Sequence, residues 1–126
     1  MDITPAVPSG RQVVESYGDG RFKVSGQHYQ GSILVHPLET LSWSASDMAG
    51  VTLDSLAPLV AADDRPIEVL LLGCGPDMAP VPAALRQGLR ERGIVVEPMD
   101  TGAACRTYNV LLLEERVVAA ALIAVT

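Results

Sequence analysis

The string that most restricts this chain is Ile67-Glu68-Val69-Leu70-Leu71-Leu72 running directly into Gly73-Cys74-Gly75-Pro76. Five of those first six residues are aliphatic, with no polar alternation. So short and uniformly apolar a run reads as a strand covered on both faces, as in the parallel part of an α/β sheet. A glycine turn followed by a helical pattern then completes a βα unit. Pro80 and Pro82 precede that helix, which extends to about Arg92 with Val81, Leu85 and Leu89 on its inner face. Gly93 stands where a helix-ending residue in the left-handed conformation is wanted.

The same logic extends in both directions. Residues 94–97 form the next strand, and Asp100 or Thr101 caps a third helix to about Leu113. Glu114-Glu115-Arg116 turns the chain into an apolar last strand over 117–125. Upstream, residues 52–62 have helical spacing (Leu53, Leu56, Val60), with Pro58 expected to break or kink the helix. Before that come strands over 11–17, 22–25 and 29–36, separated by Gly18-Asp19-Gly20 and Gly26-Gln27. Residues 38–51, which hold the single tryptophan, Trp43, match no pattern. The predicted class is α/β: a single three-layer domain with a mixed central sheet, an N-terminal β-meander followed by α-β-α-β-α-β. Residues 1–10 are Pro-rich and read as an extended arm, leaving 11–126 as the domain.

Composition narrows the function classes. Nine Lys and Arg against fifteen Asp and Glu give a formal charge of −6, the wrong sign for a general nucleic-acid binder. The longest strongly apolar run, residues 117–125, is nine residues, where a membrane-spanning helix needs about 20. The N-terminus lacks the basic and apolar regions of a secretory signal, and two cysteines cannot form a disulfide framework. A cytoplasmic location is the expectation.

Right-handed crossovers place the loops after the strands at 67–72 and 94–97 at one sheet edge, where ligands of open α/β sheets bind. Gly73, Cys74 and Gly75 could bring backbone amides to a nucleotide or S-adenosylmethionine-like ligand, and Glu97 lies 22 residues beyond Gly75, as a ribose-binding acid would. Against this, Met78 stands where a third small residue is wanted, and Pro80 and Pro82 remove amide donors. Cys74 as a nucleophile would need His28 or His36 as base, with no recognisable third partner; a buried structural thiol is the better reading. No metal-ligand spacing is present, and no cofactor is expected. The helix start Asp100-Thr101, with Arg106, Tyr108 and Asn109 further along, is unusually polar and could receive an anion. The alternative is that Arg106 pairs with a surface acid and Asn109 satisfies a neighbouring backbone segment.

The strings Tyr29-x-Gly31-Ser32-Ile33-Leu34-Val35, Gly73-Cys74-Gly75, Pro98-Met99-Asp100-Thr101, Thr107-Tyr108-Asn109 and Glu115-Arg116-Val117-Val118 occur in this order. Together they resemble a family of small α/β domains that includes mitochondrial complex I assembly factor 3 and the adipogenesis-associated domain protein of animals. The resemblance implies a three-layer domain with no established enzymatic activity. It also implies action by protein contact during membrane-complex biogenesis, with a membrane-complex subunit or assembly factor as partner. The family's recurring positions map to Gly73, Gly75, Asp100, Thr101, Tyr108 and Asn109. Two functions are therefore expected: a non-enzymatic interaction domain or, as the alternative, a small-molecule or anion site at the 73–75 edge lined also by Arg106.

Overall fold

The computed structural model describes Ile3 and residues 10–126 of the chain. Three strands open it: β1 (Val14–Gly18), β2 (Arg21–Val24) and β3 (Gln27–Gln30). They form an antiparallel sheet joined by two two-residue loops, Asp19-Gly20 and Ser25-Gly26. All four loop residues have positive φ, the signature of the turn type whose twist matches that of hairpin strands.

Residues 29–36, expected as one strand, are two. Gly31 takes φ +79° and ends β3. After Ser32 the chain re-enters as β4 (Ile33–His36) in a different sheet. The alternation of the sequence runs through this point unbroken; only the left-handed glycine marks the change of sheet. The unplaced stretch 38–51 supplies β5 (Glu39–Ser42), antiparallel to β4, and a 3₁₀ turn, Met48–Gly50.

Then follow α1 (Leu53–Val60), β6 (Val69–Gly73), α2 (Ala83–Arg90), β7 (Val95–Met99), α3 (Thr101–Leu113) and β8 (Val118–Leu122). Thr52 caps α1 through a reciprocal pair of bonds with Ser55. The helix continues through Pro58 instead of breaking there. The carbonyl that loses its partner belongs to Asp54, which is exposed and open to water.

The main sheet has the order β5-β4-β8-β6-β7, parallel for β8-β6-β7 and antiparallel for the rest. Strand β8 is at its centre, with all five residues buried. Period-two alternation divides the sheet between two cores. Leu34, Leu70, Leu72, Ala119 and Ala121 face α1 and α2, where Leu56, Leu59, Leu85 and Leu89 meet them along with Trp43. Ile33, Val35, Leu71, Val118, Ala120 and Leu122 face α3 and the inner face of the meander, with Val14, Phe22 and Val24. This is a three-layer α/β arrangement around a mixed sheet, with the meander packed beside α3 as a second small sheet.

The β7 edge is closed by chemistry. Val95 N–H donates to Glu68 O, and Met99 O accepts from Cys74 N–H, so these residues bond inward. Alternation turns Val96 and Pro98 outward. Pro98 has no N–H to offer, and the Arg86 guanidinium donates to Val96 O at 3.4 Å.

A buried side chain of α3 holds the backbone of the meander. Asn109, 4% exposed, accepts from Val14 N–H at 3.1 Å and donates to Val14 O at 2.9 Å. The predicted arm over residues 1–10 lies outside the described residues except for Ile3 and Gly10. Ile3 N–H donates to Glu15 O at 2.8 Å, and Ile3 O accepts from Asn109 Nδ2 at 3.5 Å.

Two predictions follow from these contacts. Asn109→Leu leaves both polar groups of a fully buried Val14 backbone without partners, and urea unfolding should show a loss of about 2–4 kcal/mol. His36 Nδ1 accepts from Leu38 N–H at 3.1 Å, which requires an unprotonated nitrogen. Burial first, then the Arg65 and Arg11 guanidinium groups, hold its pKa below 6.5, while Glu39 and Asp64 oppose them. The unfolded chain therefore takes up this proton at higher pH than the folded one. The His36 contribution is intact above pH 6.5 and is lost as pH falls from there through the folded value. Comparing urea midpoints at neutral pH and at about pH 5.5 should show a smaller acid-side loss in His36→Gln than in the parent.

Candidate functional site

The loops after β6 and β7 do meet at one edge. Gly75 N–H donates to Thr101 Oγ1 at 3.0 Å, Thr101 N–H donates to Gly75 O at 2.8 Å, and Cys74 N–H donates to Met99 O at 2.8 Å. The Thr101 hydroxyl also donates to Ile123 O at 2.7 Å, and Ile123 N–H donates to Gly73 O at 3.0 Å. Thr101 thus knits together three carboxyl ends: β6, β7 and β8. The Cys74 and Gly75 amides, expected to greet a ligand, are both engaged inside the protein.

Close approach accounts for Gly73. A Cβ there would fall 3.0 Å from both Cα and Oγ1 of Thr101 and 3.1 Å from Leu122 Cδ2. Gly75 answers a different need, since its φ is +105°. Cys74 is buried, and its thiol lies 3.6 Å from Leu72 O and 3.7 Å from Ala79 O. Asp100 caps α3, its carboxylate accepting from Ala103 N–H at 2.9 Å.

Further along α3 the predicted residues part ways. Tyr108 is fully buried, and its hydroxyl donates to Gln12 O at 2.8 Å. Burial pushes its pKa well above the ordinary tyrosine value. Asn109 holds Val14, as described, so it satisfies a neighbouring backbone segment. Burial pushes the Cys105 thiol up to about 12, against the opposing pull of Arg106. Arg106 alone of this group is exposed, and it donates to the Tyr17 hydroxyl at 3.2 Å, not to a carboxylate. Tyr17 lies over the first turn of α3, where a Cβ at Gly102 would come within 2.5 Å of its hydroxyl oxygen.

Tyr17 also lines a cavity of about 500 Å³, bounded by the meander and by Val125 and Thr126. Sequence reasoning placed function at this end of the sheet but missed the cavity. Its basic residues, Arg21 and Lys23, alternate with the buried Phe22 and Val24, and that four-residue alternation was the available signal. Trp43, a possible contact anchor had it been exposed, is 6% exposed and part of the core.

Five strands in mixed order, α-helices on both faces and a three-stranded meander beside α3 define a particular class of small α/β domain. The chain belongs to the family described as proteins of unknown function DUF498/DUF598, which matches it over residues 14–123. A zebrafish (Danio rerio) protein named NADH dehydrogenase [ubiquinone] 1 alpha subcomplex assembly factor 3 is 36% identical over 98% of this chain and 70% of its own length. The chain spans 59% of the human protein of that name, at 33% identity. Among solved structures, one described as an outer membrane protein from Bartonella henselae superposes with a TM-score of 0.85 at 38% identity, covering 93% of this chain and 98% of that one. A Mth938-like domain from Bordetella pertussis gives 0.79 at 28% identity, covering 98% and 92%.

The Thr101 junction makes a sharp prediction. Thr101→Val keeps the shape of the side chain but orphans Gly75 N–H and Ile123 O, and should cost about 1–3 kcal/mol in denaturant unfolding. Thr101→Ser, which keeps the hydroxyl, should recover most of that loss.

Proposed function

We propose that this protein is a non-enzymatic domain that acts by protein contact in the biogenesis of a membrane complex, as its relatives named assembly factors of NADH dehydrogenase do by name. The observation that carries the reading is the relationship to assembly factor 3 across nearly the whole chain. The geometry supports it from another side. Thr101, Tyr108 and Asn109, the polar side chains that a catalytic reading would call upon, are spent on backbone groups of the protein itself. The surface of α3 meanwhile presents Val110 and Leu113, 52% and 45% exposed and one turn apart. We place the contact surface on that face and the action in the cytoplasm. None of the helices among the described residues is long and apolar enough to cross a membrane, so contact with the complex would be peripheral.

The test is a deletion strain of the source organism, complemented with the parent chain or with Val110→Asp/Leu113→Asp. The amount of assembled NADH dehydrogenase is read on native gels, and the location of the protein by fractionation. The expected result is a fall of several-fold in the assembled enzyme, restored by the parent and not by the folded double variant. An unchanged level of assembled enzyme in the deletion strain would overturn the reading. Restoration by the double variant would remove the contact from α3.

A further inference from the structure

The meander carries a basic face that no part of the assembly reading uses. In β2, Phe22 and Val24 point into the core, which turns Arg21 and Lys23 together to the other face. Opposed residues of an antiparallel pair share a face. His28, directly opposite Lys23, therefore joins them, as do Gly18 opposite Arg21 and Ser16 opposite Lys23. Three basic side chains thus sit on adjacent positions of one sheet face, in a chain whose formal charge is −6. The usual arrangement would set an acid across from each cation. Here the positions opposite hold Gly18 and Ser16 on β1 and Gln30 and His28 on β3, none of which carries a negative charge. The Arg65–Glu39 salt bridge lies elsewhere on the molecule.

The small partners have a second effect, which is space. They leave the cavity of about 500 Å³, closed on one side by Val125 and Thr126. That wall is held in place by Gly20 N–H, which donates to Val125 O at 2.7 Å. The volume lies within the range of small-molecule sites. Its lining is rich in donors: a guanidinium, an ammonium, an imidazole and the Ser16 hydroxyl. Asp19, in the β1–β2 turn, is the acidic side chain at the rim.

From this placement we infer that the meander cleft is a binding site for a small phosphate-bearing anion, with Arg21 and Lys23 as its principal ligands and His28 and Ser16 completing the cradle. A planar guanidinium can take two phosphate oxygens at once, and the ammonium beside it takes a third as a point charge. Bound phosphate offsets the repulsion between the Arg21 and Lys23 charges, which share this face of β2. The volume has room for a ligand larger than a single phosphate. The phosphate can come from a free metabolite or from a phospholipid headgroup. This site is independent of the assembly reading, since neither Val110 nor Leu113 lines it.

The experiment titrates the full chain with inorganic pyrophosphate and follows backbone amide resonances by NMR. In a parallel arm, sedimentation is measured with phosphatidylcholine vesicles with and without phosphatidylglycerol. Two variants accompany the parent. Arg21→Gln/Lys23→Gln removes the ligands from the outer face and leaves Phe22 and Val24 in place. Ser16→Asp keeps every cation but supplies the missing counter-charge opposite Lys23. Both are first shown to be folded by the fluorescence of the buried Trp43. The inference expects shifts confined to residues 16–28 and 125–126, weakened about tenfold or more in each variant and by added salt. Pyrophosphate binding assigns a free phosphate compound, and phosphatidylglycerol-dependent sedimentation lost in the variants assigns a headgroup. Binding in neither arm, or binding that both variants leave unchanged, overturns the site.

Discussion

The close approach of α3 to the carboxyl ends of the central strands is the constraint on which the rest of this structure depends. A helix that near a sheet must satisfy its own first turn and the strand ends beneath it without water. Thr101 does both: its N–H donates to Gly75 O, and its hydroxyl donates to Ile123 O and accepts from Gly75 N–H. The glycine at 73 permits the distance, and the Asp100 cap fixes where the helix begins. Eight residues further on, Asn109 does for the meander what Thr101 does for the sheet, and Tyr108 reaches the backbone of Gln12 between them. One helix therefore organises both sheets through three buried polar side chains. Each makes hydrogen bonds that would be expensive to leave unmade.

Much of this was legible in the sequence. The five-aliphatic strand, the glycine that ends α2, the Asp100 cap and the apolar last strand each follow from local chemistry, and together they define the mixed three-layer sheet. What escaped was non-local. The change of sheet at Gly31 is invisible because the alternating pattern runs straight through it, and only the pairing of β4 with β8 reveals it. Strand β5 is four residues long and takes its identity from β4, so residues 38–51 have no pattern of their own. Pro58 looked like a break, yet the carbonyl it deprives is on the wet side of its helix.

The candidate site was legible in part for the same reason. The polarity of Thr101, Tyr108 and Asn109 on an otherwise apolar helix was evident, and so was the convergence of two loops. The direction in which those side chains point was not, because Asn109 meets a backbone 95 residues away in the chain. Arg106, read either as an anion ligand or as the partner of a surface acid, donates instead to the Tyr17 hydroxyl. The basic face of the meander was written in the alternation of β2, but its meaning depends on what stands opposite. That requires the hairpin registers.

The outward-facing Pro98 and the Arg86 guanidinium on Val96 O have a consequence for how copies of this protein can meet. A strand from a second molecule approaching β7 would find one carbonyl already occupied and one amide missing, so it could not zip along that side. The five-stranded sheet is finished there. Any polymer that extended the five-stranded sheet would have to start from its opposite side, at β5, where Glu39 is bridged to Arg65 and Thr40 is bonded to Gln12. The fold thus limits its own capacity for runaway assembly at the margin where its parallel strands would otherwise invite it.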